Sequence, residues 1–149
     1  RLHQQSANVN GTVLWYAKSV VDNPGNYGTL LRTNYWRYPA LQPSMPFIDD
    51  DAPSKPKRVK ARHEDDGYYL TWKAPRGEGW NDAPYRYVVY CFQPHEPINL
   101  DDPSKIVAMP YENRLRLNYQ GGQTKYVFVV TALDRMSNES SGKKKKVKL

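Results

Sequence analysis

Thr124-Lys125-Tyr126-Val127-Phe128-Val129-Val130-Thr131-Ala132-Leu133-Asp134 is the stretch on which the fold turns. Tyr126, Phe128, Val130 and Ala132 recur at every second position, with Val127, Val129 and Thr131 between them. β-Branched and aromatic residues at period two predict a strand, and here both alternating sets are largely apolar. Such a strand needs cover on both faces, as at the centre of a sheet packed on two sides.

Working outward, further short strands are predicted with turn chemistry between them. Val59 and Ala61 begin one. Tyr68, Leu70 and Trp72 alternate as the inward face of the next, with Tyr69 and Thr71 outward. Tyr85, Tyr87, Val89 and Cys91 line one side of a third, with Val88, Tyr90 and Phe92 on the other. Residues 93–104 form a long polar connection, followed by strands at 106–109 and 114–117. A glycine turn at 120–123 leads into the opening stretch. After a turn at 137–142, residues 143–149 read as a last edge strand. Seven short strands in about a hundred residues, separated by turns, predict a mainly β, seven-stranded sandwich.

The first fifty residues read differently. Val13-Leu14-Trp15-Tyr16-Ala17 is continuously apolar, as in a buried strand. Asp22-Asn23-Pro24-Gly25-Asn26 breaks it, and Tyr27, Leu30, Leu31 and Tyr35 then suit a short amphipathic helix. One βα unit cannot bury its own strand, and the sequence starts at Arg1. Residues 1–50 therefore fit a fragment whose neighbouring strands lie elsewhere, and are expected to pack on the second domain, associate with another copy or remain partly disordered. The charged, proline-rich run from Asp49 to Pro56 is the expected boundary, with the sandwich at 51–149.

Bulk properties narrow the function. The 149 residues carry a net charge of +7, but five positive charges lie in the Lys143–Lys146 run and Lys148. A terminal lysine run is read as a solvated last strand, and lysine on an edge strand discourages aggregation. Nucleic-acid binding calls for basic residues spread over a face among aromatics, so no nucleic-acid partner is expected. The single cysteine, Cys91, sits in an apolar run and reads as a small buried hydrophobe. No signal peptide and no apolar run of membrane length is visible.

The residues from Pro53 onward resemble the fibronectin type III family. The likeness is carried by Pro53-Ser54-Lys55-Pro56, Val59-Lys60-Ala61, Leu70-Thr71-Trp72 with Pro75, Tyr87-Val88-Val89-Tyr90, Leu117 and the 126–132 run. It implies that Trp72 is a core tryptophan and Tyr126 a tyrosine corner, its hydroxyl bonded to nearby backbone. It brings no catalytic residues. Residues 1–50 resemble the end of the barrel domain in secreted bacterial glycoside-hydrolase-like proteins. The carriers are the 11–19 run, Leu31-Arg32-Thr33-Asn34-Tyr35, Tyr38-Pro39-Ala40-Leu41 and Pro43-Ser44-Met45-Pro46. They would be a final barrel strand and helix, with Lys18 and Ser19 at the rim. This second likeness implies a secreted, periplasmic or cell-surface parent acting on glycans, with the sandwich at its C-terminus.

Chemistry is sparse. Glycoside hydrolysis needs two carboxylates across a sugar bond, and no acid here ends a barrel strand. Asp49 to Asp51 and Asp65-Asp66 lack calcium-loop spacing, and His3, His63 and His95 lack metal-ligand spacing. The expectation is a non-catalytic accessory domain with no cofactor and no metal, docking on or spacing the catalytic domain of its parent. The alternative is a carbohydrate-binding module in which Trp80, Asn81, Asp82 and Tyr85 contact a glycan. The outward sets Val88, Tyr90, Phe92, Val127, Val129 and Thr131 form an apolar patch too large to stay bare. It is expected to be an interdomain surface, covered by Trp15, Tyr16, Trp36 or Phe47 in cis or by the parent's catalytic domain.

Overall fold

A computed structural model describes residues 13, 16–77, 79 and 83–149. All seven predicted strands form: β1 (Lys57–Glu64), β2 (Gly67–Lys73), β3 (Arg86–Phe92), β4 (Ile106–Ala108), β5 (Arg114–Leu117), β6 (Lys125–Leu133) and β7 (Lys143–Lys148). They pair into a three-stranded sheet, β1-β2-β5, and a four-stranded sheet, β4-β3-β6-β7. Every described pairing is antiparallel. The opening stretch becomes β6, which lies between β3 and β7.

The inward residues of both sheets make the central core. Leu70 and Trp72 from β2 meet Tyr87 and Val89 from β3 and Phe128, Val130 and Ala132 from β6. The Trp72 and Tyr87 rings meet edge to face, with centroids 5.2 Å apart. Tyr126 is half-buried and packs against this core. Among the described residues, no hydrogen bond from its hydroxyl closes a tyrosine corner. Tyr69, read as outward, is also buried: the Arg114 guanidinium lies over its ring and its hydroxyl donates to Asp66 at 2.8 Å.

The chain divides into two compact units, 1–39 and 40–149. The boundary thus falls before the acidic run, not at residue 51, because residues 40–51 are stitched to the sandwich. Met45 N–H donates to the Met136 carbonyl, and the Asn138 side-chain amide donates to the Asp49 carbonyl at 2.9 Å.

In the first unit, α1 (Lys18–Val21), a 3₁₀ turn at Pro24–Asn26 and α2 (Tyr27–Leu30) follow one another. The helix continues through a wider turn, Leu31–Tyr35, in which Trp36 N–H donates to the Leu31 carbonyl five residues back. Asn23 ties the turn to α2 by hydrogen bonds in both directions with Thr29. Gly28 is required there, since a Cβ would stand 2.4 Å from the Val20 carbonyl oxygen. The expected strand at 13–17 does not form among its described residues: Val13, Tyr16 and Ala17 are exposed and outside any strand. A single strand without a partner cannot satisfy its backbone. Lys18 and Ser19 lie in α1, with Lys18 paired to Asp22. No helix among the described residues is long and apolar enough to cross a membrane.

Candidate functional site

The outward sets of β3 and β6 are buried, and the described residues packed on them belong to the sandwich unit itself. Val88, Tyr90, Phe92, Val127 and Val129 form a second apolar cluster with Ile106 and Leu133. Leu41, Ile98, Leu100 and Met109 pack against it. The cover therefore comes from the 93–105 connection and the lead-in segment of the sandwich itself. Phe47 is 84% exposed, Tyr16 and Trp36 are each more than half exposed, and Trp15 lies outside the described residues. The six residues assigned to an interdomain surface are thus interior to this unit. The 93–105 connection is held down by a Lys105–Glu96 ion pair and by Asp102, whose carboxylate accepts from Ser104 N–H at 2.9 Å. The bond to Lys105 is the first reason that the Glu96 carboxyl titrates below its ordinary value.

Burial of two polar side chains on that face creates a demand for an acceptor. Tyr90 and Thr131 are both fully buried, and both hydroxyls donate to Glu139 Oε1, at 2.8 and 2.6 Å. Burial, and then the bond to Glu139, push the Tyr90 phenol well above its ordinary value. Glu139 went unnoticed in sequence reasoning, which left it in a turn. The available signal was the polar pair Tyr90 and Thr131 within an apolar face.

At one end of the four-stranded sheet lies an open cleft of about 340 Å³, lined by Leu41, Gln42, Tyr85, Tyr111, Asp134 and Arg135 among others. Tyr85 and Tyr111 meet edge to face at 5.5 Å and are both largely exposed. Arg86 lies over the Tyr111 ring at 4.7 Å and Arg135 over the Tyr85 ring at 4.8 Å. Arg86 Nε also donates to the Met109 carbonyl, which fixes it in place. Tyr85 is the one member of the expected glycan-contact set that is placed. Trp80, Asn81 and Asp82 lie outside the described residues. Tyr111, Arg86 and Arg135 carry no sequence signal, because strand pairing alone brings them together.

Aromatic faces beside guanidinium groups can hold sugar hydroxyls or carboxylates. Glycoside hydrolysis ordinarily uses two carboxylates in reach of one bond. Among the described residues Asp134 is the one carboxylate lining this cleft, and it is committed: it accepts from Met136 N–H, Asn138 N–H and the Asn138 side chain. The Cys91 thiol is pushed up, first by burial, which disfavours a thiolate nucleophile. Among the described residues, no three His, Cys, Asp or Glu side chains gather as a metal site.

Two sheets in the order β1-β2-β5 and β4-β3-β6-β7, packed over Trp72, decide the fold. The sandwich is fibronectin type III-like. No family model matches the chain. Over 149 residues it is 30% identical to the glycosyl hydrolase YngK of Bacillus subtilis (strain 168). That match takes in 99% of this chain and 28% of YngK, so the chain spans under a third of that relative. Among solved structures, the fibronectin type III-like sandwich is similar to an Fn3-like protein from Clostridium thermocellum. The TM-score is 0.47 at 21% identity, over 64% of this chain and 92% of that one. A titin segment gives a TM-score of 0.47 at 24% identity, over 66% of this chain and 33% of that one.

Proposed function

We propose that the chain is a non-catalytic accessory part of an exported glycoside-hydrolase-like protein, its sandwich docking on or spacing the catalytic domain. The observation that carries this reading is the stitching of the lead-in segment. Asn138, itself buried, donates to the carbonyls of Asp49 and Asp51, and Met136 accepts from Met45 N–H. Such bonds make residues 40–51 part of the sandwich and not a loose linker, which supports docking over free tethering. Similarity to a glycosyl hydrolase supports the parent class, and the commitment of Asp134 to three donors fits the non-catalytic role.

The second reading is a carbohydrate-binding module, favoured by the exposed Tyr85–Tyr111 pair at the cleft rim. Native gels containing neutral glycans, run with the wild-type chain beside Trp80→Ala and Tyr111→Ala, separate the two. Docking predicts no retardation of any of them. Retardation of the wild type that either substitution abolishes would replace docking with carbohydrate binding.

A further inference from the structure

At the other end of the four-stranded sheet, about 25 Å along β6 from the tyrosine cleft, the chain builds an open, basic cleft. It measures about 430 Å³ and is lined by Pro94, His95, Lys125, Val127, Lys146 and Lys148 among others. Among the described residues no carboxylate lines it. The register makes the charge dense. Lys125 stands directly opposite Lys148, Val127 opposite Lys146 and Val129 opposite Lys144. Side chains at alternate positions share a face, so Lys125, Lys144, Lys146 and Lys148 all rise on one side of the sheet. All four are exposed, and among the described residues none has an ion-pair partner.

Lysines on an edge strand have an ordinary purpose, to block pairing with a further strand. That explains β7 but not Lys125, which lies on β6, an interior strand with β3 and β7 on either side. Like charges directly opposite one another across a ladder are destabilising, so the Lys125–Lys148 pair works against the fold. A local rule broken at some cost to the fold is expected where a site binds something. Closely spaced anionic groups would relieve the repulsion.

We propose that this cleft binds a polyanionic glycan, one carrying regularly spaced carboxylate or phosphate groups. The site stands on the register and the cleft alone; the choice of glycan over nucleic acid rests on the accessory role proposed above. The cleft geometry agrees with that choice. Single-stranded nucleic acid is held by successive exposed aromatic platforms, whereas of the two aromatic rings lining this cleft Tyr126 is half-buried against the core and His95 alone is exposed.

The test is affinity electrophoresis of the wild-type chain in gels containing polygalacturonate, double-stranded DNA or neutral hydroxyethylcellulose. Two triple variants accompany it: Lys125→Gln/Lys146→Gln/Lys148→Gln, and Lys55→Gln/Lys57→Gln/Lys60→Gln, which removes equal charge from around β1. Polygalacturonate is expected to retard the wild type most. The cleft triple should weaken that binding by about tenfold, three exposed charge contacts at a few tenths of a kcal/mol each. The β1 triple should change it much less, and added salt should abolish it. Equal losses in both triples, or no retardation of the wild type, would overturn the site. Stronger retardation by DNA would overturn the choice of glycan. Neither result depends on Trp80 or Tyr111, so the neutral-glycan gels judge the docking reading separately.

Discussion

Tyr90 and Glu139, 49 positions apart in sequence, meet through one hydrogen bond of 2.8 Å on the outer side of the four-stranded sheet. The same carboxylate oxygen accepts from Thr131, so a single residue, bridged antiparallel to Leu133, satisfies two fully buried hydroxyls. Glu139→Ala would leave both donors unpaired and is expected to cost about 2–4 kcal/mol, against about 1 kcal/mol for Tyr90→Phe. Urea unfolding of the three chains measures this, and equal losses would contradict a shared acceptor. The pH dependence follows from the same bond. Burial, then Glu139, raise the folded-state Tyr90 phenol above its ordinary value of 10.0. The stability it contributes is therefore complete below that value and is lost as pH rises above it. Tyr87 is raised too, also by burial, so the alkaline loss attributable to Tyr90 is the part that Tyr90→Phe removes.

Gly142 closes the cover over the same face. A Cβ there would stand 2.3 Å from Val129 Cγ1, which is itself fixed within β6. Gly142→Ala should destabilise by about 1–3 kcal/mol through overpacking. Adding Val129→Ala removes the obstruction, so the double variant should lose less than the sum of the single losses. Thermal unfolding of the four chains provides the cycle.

Cys91 is partly buried, and its thiol is pushed up mainly by that burial, with Lys105 acting in the opposite direction. Labelling of the native chain by a thiol-specific reagent at neutral pH should be slow, and fast once the chain is unfolded. Lys105→Gln removes the nearby positive charge and should slow native labelling further. Rapid labelling of the native chain would show that the thiolate is accessible.

All seven strands were legible in the sequence because their signals are local. Period-two alternation in Tyr68-Leu70-Trp72 and in Tyr126-Phe128-Val130-Ala132 fixes which side chains turn inward. Glycine, proline and asparagine clusters mark where the chain must turn. The second apolar face was also legible, since Val88 and Val129 plainly required cover.

What covers that face was decided by tertiary structure. Ile98 and Leu100 sit in an aperiodic polar connection, and Leu41 in a proline-rich lead-in, so no pattern announces them. Residues 40–51 joined the sandwich through Asn138, 89 positions from Asp49, a distance no local rule spans. The same holds for both clefts. Tyr85 and Arg86 meet Tyr111 and Arg135, and Lys125 meets Lys148, because antiparallel pairing sets distant residues side by side. Alternation along one strand determines which face a side chain takes; register between strands determines its neighbours, and only the folded sheet sets the register.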